Sequence, residues 1–214
     1  MIHLLLVDDH ALFRSGMKSV LAEAGDIEVV GEVSDGEAAV AFVRESPPEV
    51  VLMDINMPGI GGIEATRRIL HVAPEVHVIA VTALSDSPFP NQLLDAGAQG
   101  YISKGCPADE LFEAVRSVTQ GRHYICSDVA QKLALESVVG QAKDTPLNQL
   151  SPREMQVMLM VVQGQGNQQI SDTLFLSPKT ISTYRHRLFE KLGVANDVEL
   201  THFAIRHHLV EPGS

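Results

Sequence analysis

Five residues that can handle phosphate and divalent cations stand at or just beyond the ends of short apolar runs. Asp8 and Asp9 follow Ile2 to Val7, Asp54 follows Val50 to Met53, Thr82 follows Val76 to Val81, and Lys104 follows Gly100 to Ser103. Carboxylates crowded into one crevice repel each other, so a hard divalent cation is their natural partner. Mg2+ suits them, because it takes oxygen ligands and keeps several waters. A hydroxyl donor and an ammonium beside one carboxylate complete a phosphoryl-transfer site, since such catalysis is mostly positioning and charge neutralisation. One aspartate at a strand end reads most simply as a solvated cap. Three converging on one crevice carry more.

The elements that must bring them together alternate. Ile2 to Val7, Ile27 to Val33, Val50 to Met53, Val76 to Val81 and Gly100 to Ser103 are continuous apolar or β-branched runs, as expected of strands covered on both faces. Between them lie stretches of helical spacing: His10 to Ala24, Gly36 to Arg44, Gly62 to Val72, and a segment opened by Pro88-Phe89-Pro90 toward Ala96. Pro107 to Gln120 is a fifth, with proline near its start and Gly121 past its end. Five β–α units in about 120 residues predict a doubly wound parallel sheet of five strands, order 2-1-3-4-5, with right-handed crossovers. In that order the topological switch point lies between the first and third strands, and ligands bind outside the carboxyl ends of the strands there. Asp8, Asp9 and Asp54 meet at that point, and Thr82 and Lys104 face the same crevice.

The remainder of the chain reads differently. Arg122 to about Ala134 has helix-forming character, and Val138 to Asn148 is a linker by composition. The predicted division is therefore residues 1–122, a linker with a helix over 123–147, and a second domain over 148–214. Ser151-Pro152-Arg153-Glu154 is a capping box that starts a helix running to Val162. Asn167 to Leu174, Ser177 to Leu192 and Asn196 to His208 follow, so the second domain is all-helical with four helices. Its third helix carries Lys179, Arg185, Arg187 and Lys191 against Glu190 alone. A short helix, a turn and a basic capped helix make a helix-turn-helix, whose second helix enters the major groove with phosphate contacts around it. One such module reads a half-site, so a dimer on promoter DNA is expected.

Charge follows this division. The 214 residues carry a net charge of −11, with 8 basic and 18 acidic residues in 1–122 but 8 and 9 in 123–214. The acidity sits with the predicted cation pocket, and non-specific nucleic-acid binding by the whole chain is disfavoured. No apolar run approaches the 18 residues of a membrane span. The N-terminus meets two carboxylates too early for a secretory signal. Cys106 and Cys126 cannot build a disulfide framework, so a cytoplasmic protein with reduced thiols is expected.

Asp8-Asp9, Asp54, Thr82 and Lys104 in five β–α units resemble the receiver domain of two-component response regulators, over residues 1 to about 122. The resemblance implies that Asp54 is the phosphoacceptor. It also implies that Asp9 binds Mg2+ directly with Asp8 assisting, that Asn56 gives its backbone carbonyl to the metal, that Thr82 and Tyr101 are switch residues, and that Lys104 pairs with the phosphoryl group. Gly105 departs from the pattern, since many receivers have proline after this lysine. In the second half, Leu150-Ser151-Pro152-Arg153-Glu154, Gly166-Asn167, Ile170-Ser171, Leu176 to Ile181 and Lys191 to Val194 resemble the LuxR-type DNA-binding module. Receiver plus this module is the NarL/FixJ class. Asp86 to Pro90, Ser177 to Thr180 through Thr183-Tyr184-Arg185, and Phe189 to Leu192 are similar to the GacA/UvrY group within it. That likeness implies phosphorylation by a hybrid sensor histidine kinase and activation of small regulatory RNA genes. The basic second helix of the helix-turn-helix places the expected DNA contacts on Lys179, Thr180, Ser182, Thr183, Arg185, His186, Arg187 and Lys191. Many members have lysine where Ser182 stands, so base reading moves toward Thr183 with His186 or Arg187, leaving Lys179 and Arg185 to phosphates.

Two rivals keep the fold and change the function. A Mg2+-dependent phosphatase of the haloacid-dehalogenase kind needs Asp-x-Asp after its first strand, whereas Asp8 and Asp9 are adjacent. A pure protein-interaction adaptor does not need four basic residues on one helix. The chain is read as a regulator and not an enzyme.

Overall fold

β-branched and leucine-rich runs form the strands, because their stiff side chains suit a pleated surface packed on both sides. The computed structural model describes residues 1–55, 57–82, 93–131, 146–207 and 209–210, with only the backbone of 148 and 152. The described residues up to 131 belong to one compact unit and those from 146 onward to a second.

The first unit contains β1 (Ile2–Val7), α1 (Ala11–Ala22), β2 (Ile27–Val33), α2 (Gly36–Glu45), β3 (Val50–Asp54), α3 (Gly61–Val72), β4 (His77–Thr82), β5 (Gly100–Ser103), α4 (Ala108–Thr119) and β6 (Tyr124–Ile125). All neighbours are parallel, in the order β2-β1-β3-β4-β5-β6. β3 is buried along its whole length, and β4 nearly so. α2 packs on α3 and α1 on α4, so both faces of the sheet are covered. Residues 93–95 are helical; the start of that predicted helix, at Pro88 to Pro90, lies outside the described residues.

The five expected strands stand in the expected order, and a short sixth is added beyond them. Tyr124 N donates to Gln99 O (2.9 Å) and Cys126 N to Tyr101 O (3.0 Å), which closes the open edge of β5. Helical residues 127–131 follow, so the helix expected from Arg122 onward gives way at its start to this strand. An exposed edge of unpaired N–H and C=O groups outweighs weak helix preference over so short a stretch.

The second unit opens with a 3-10 turn (Pro146–Gln149), followed by α5 (Pro152–Val162), α6 (Asn167–Leu174), α7 (Pro178–Leu192) and α8 (Asp197–Arg206). The capping box at α5 is complete: Ser151 Oγ accepts from Glu154 N, and Glu154 Oε2 accepts from Ser151 N. Met155, Met158, Ile170, Leu174, Ile181, Leu188 and Leu200 are buried together at the centre of the four helices.

Candidate functional site

β1 and β3 end side by side, Val7 opposite Met53, and so deliver Asp8 and Asp54 to one spot. The approach of α3 to that spot depends on Gly62, where a Cβ would lie 2.0 Å from the Asp54 carbonyl oxygen. Only glycine lets the helix start so close to the strand end. Asp8 and Asp54 are each 3% exposed, whereas Asp9 stands at the rim. Ligand atoms of Asp8, Asp9, His10 and Asp54 all lie within 4.8 Å of one another.

Lys104 bridges the two buried carboxylates. Its Nζ donates to Asp54 Oδ2 at 2.9 Å and lies 2.6 Å from Asp8 Oδ2. The Asp8 contact is a close ion pair. The ammonium also sits over the Phe13 ring, 4.7 Å from its centroid, where the ring's negative face attracts it. Burial disfavours the Lys104 charge, but the carboxylates of Asp54 and Asp8 outweigh that and hold its pKa above the ordinary value. Lys104 is fixed by its own backbone too, N donating to Thr82 O at 2.6 Å. This bond ties the end of β5 to the end of β4. Thr82 is fully buried and Tyr101 is 2% exposed, one strand over.

His10 is a member that residue typing alone had left out. Its N–H donates to Asp8 Oδ1 at 2.7 Å, and its Nδ1 lies 2.7 Å from Asp9 Oδ1. The signal was its place directly after Asp8-Asp9. Arg14 Nη1 donates to the Asp8 carbonyl at 2.5 Å. Three convergent carboxylates fit a hard divalent cation with oxygen ligands. Asn56 lies outside the described residues.

In the second unit, Ile181, Leu188 and Leu192 turn one stripe of α7 into the core. At about 100° per residue the opposite stripe is Lys179, Thr183, His186 and Glu190, with Ser182 and Arg187 beside it. All six are exposed, and Thr180 is half-buried. Thr183 Oγ1 donates back to Lys179 O at 3.0 Å. His186 Nε2 lies 3.4 Å from Glu190 Oε1. Two of the basic residues have acidic partners within the unit. Arg185 is 17% exposed and pairs with Asp197 at the start of α8. Lys191 Nζ lies 2.6 Å from Glu154 Oε2 and donates to Gln149 O at 2.9 Å. Asp197 and Glu154 were not legible as partners, because each also has a role in starting its own helix.

Residues 4–116 match the response regulator receiver domain, and residues 148–204 match the bacterial regulatory proteins of the luxR family. The response regulator GacA of Pseudomonas viridiflava is 49% identical over 211 residues, 99% of each chain. The response regulator UvrY of Escherichia coli (strain K12) is 49% identical over 209 residues, 98% of this chain and 96% of that one. Among solved structures, RcsB from Salmonella enterica serovar Typhimurium, bound to promoter rprA in the presence of the phosphomimetic BeF3−, aligns with a TM-score of 0.76 at 26% identity, covering 94% of this chain and 97% of that one.

Proposed function

Because the chain belongs to the response regulators that join a receiver domain to a luxR-family DNA-binding module, we propose that phosphorylation of Asp54 switches promoter binding by α7. The observation that carries this reading is the Lys104 ammonium held between Asp54 and Asp8 at the carboxyl ends of β1 and β3. An Asp54 carboxylate oxygen attacks the phosphorus of a phosphohistidine on a sensor kinase. The P–N bond breaks, and the histidine leaves as imidazole. Lys104 then pairs with the phosphoryl oxygens, exchanging a carboxylate partner for a more highly charged one. Asp8, Asp9 and Asp54, with the Asn56 carbonyl, would hold Mg2+, which supplies neutralisation of charge on the transferring phosphoryl group. Thr82 and Tyr101 are the residues that respond, because Thr82 ends β4 beside Lys104 and Tyr101 lies on the neighbouring strand.

On DNA, Lys179 and Thr180 approach phosphates, and Ser182, Thr183, His186 and Arg187 face the major groove. Arg185 and Lys191 reach DNA by exchanging Asp197 and Glu154 for phosphate. The protein acts as a homodimer in the cytoplasm, answers a hybrid histidine kinase and activates small regulatory RNA genes. The full-length likeness to GacA and UvrY proteins supports this, as does the RcsB structure bound to promoter with a phosphomimetic. The test is labelling of the full-length protein by acetyl phosphate with Mg2+, followed by a gel shift. Asp54→Asn should abolish both labelling and the phosphate-dependent shift. Undiminished labelling of that variant, mapped to another residue, overturns the assignment.

A further inference from the structure

A side-chain hydrogen bond spans the helix-turn-helix at the end carrying the groove-facing residues. Asn167 is the first residue of α6, and its Nδ2 donates to Ser182 Oγ on α7 at 3.0 Å. The segment that presents Asn167 is itself fixed, because Gly166 N donates to Gln169 Oε1 at 2.9 Å. α6 and α7 pack through buried Ile170, Leu174 and Ile181, so the distance between the two side chains is set by the core. The other Asn167 amide atom, Oδ1, is sealed from solvent and accepts no hydrogen bond among the described residues. Asn167 therefore cannot offer that acceptor to a ligand directly. What it does is occupy an acceptor site on an exposed serine.

A serine hydroxyl has one hydrogen to donate and two lone pairs. With the Asn167 amide donating onto one lone pair, the Ser182 hydrogen is free to point away from α6. Resting on the reading of α7 as the DNA-reading helix, we propose that Asn167 is a positioning residue for base recognition: it fixes the Ser182 hydroxyl as a hydrogen-bond donor toward purine N7 in the major groove. N7 is an acceptor on both guanine and adenine, and recognition helices contact base edges through their N-terminal residues. Ser182 lies within the first two turns of α7. The contact selects purine over pyrimidine at one position of each half-site and does not separate guanine from adenine.

The experiment starts from a site selected out of random-sequence DNA by the full-length, acetyl-phosphate-treated protein. Each purine of that site is replaced in turn by its 7-deaza analogue, which removes N7 and leaves pairing intact. For the parent, one position per half-site should cost about three- to tenfold in affinity, the range of a single hydrogen bond. Ser182→Ala and Asn167→Ala should each bind the intact site more weakly by a similar factor. Each should also show no 7-deaza penalty at that one position while keeping the others. Asn167→Asp is nearly isosteric and turns the donor into an acceptor, so the serine hydrogen is drawn back to residue 167. It should lose the penalty in the same way with helix content unchanged by circular dichroism. This keeps the test intact if the alanine variant folds poorly. Retention of the full penalty in both Asn167 variants overturns the inference. So does a penalty found only with methylphosphonate linkages, which would make Ser182 a phosphate contact. If the parent selects no sequence, the DNA-binding reading itself falls, and this inference falls with it.

Discussion

Replacing Lys104 with methionine removes a cation that touches both buried carboxylates while keeping the apolar stem over Phe13. At 2.6 and 2.9 Å each ion pair is worth about 6 kcal/mol of gross Coulomb energy at an effective dielectric near 20. Most of that is spent on removing three charges from water, since the Lys104, Asp8 and Asp54 side chains are 17%, 5% and 4% exposed. Relaxation of the exposed rim and entry of water set a second limit. Lys104→Met should therefore destabilise the receiver by about 2–4 kcal/mol in the absence of divalent cations. Saturating Mg2+ takes over the neutralising role and should recover at least half of the loss. Urea unfolding of the full chain, followed by circular dichroism with EDTA or with Mg2+, measures both numbers. A variant as stable as the parent in EDTA, or equally destabilised in EDTA and in Mg2+, would refute the idea that Lys104 stands in for cationic charge in this pocket.

Gly62→Ala should cost at least about 2–3 kcal/mol and sharply reduce acetyl-phosphate labelling of Asp54, because its Cβ would lie 2.0 Å from the Asp54 carbonyl oxygen; unchanged labelling would show that the pocket tolerates a shifted α3. Burial alone would raise the pKa of Glu154, but hydrogen bonds from Lys191 and Ser151 outweigh it and hold the carboxyl below its ordinary 4.5. Its contribution is therefore present above that ordinary value and fades as pH falls through the lower, folded value. Glu154→Gln should speed amide exchange in α5 and α7 at neutral pH by an amount equivalent to about 1–3 kcal/mol, and the difference from the parent should shrink in acid; a pH-independent difference contradicts the ionic origin. Lys179→Ala should weaken specific and random DNA alike and reduce the salt slope by about one, read by fluorescence anisotropy across salt concentrations.

Much of the receiver was legible because its logic is local and periodic. Apolar runs that end in aspartate, threonine or lysine name both the strands and the crevice, since parallel strands all present their carboxyl ends to one side. The capping box at Ser151 and the alternation of helix and turn after it fixed the four helices, because caps and breakers act over a few residues. Distant pairings were decided by the tertiary structure. β6 exists because the open edge of β5 offers Gln99 O and Tyr101 O as acceptors, and Tyr124–Ile125, two β-forming residues, is too short a run to read as a strand by itself. Lys191, read from its charge as a DNA contact, is held by Glu154 and Gln149, 37 and 42 residues away in the chain. Arg185 likewise has Asp197 as its partner. A cation's residue type says that it will seek an anion. Which anion it meets first is settled by packing, and packing brings together residues that no spacing rule connects.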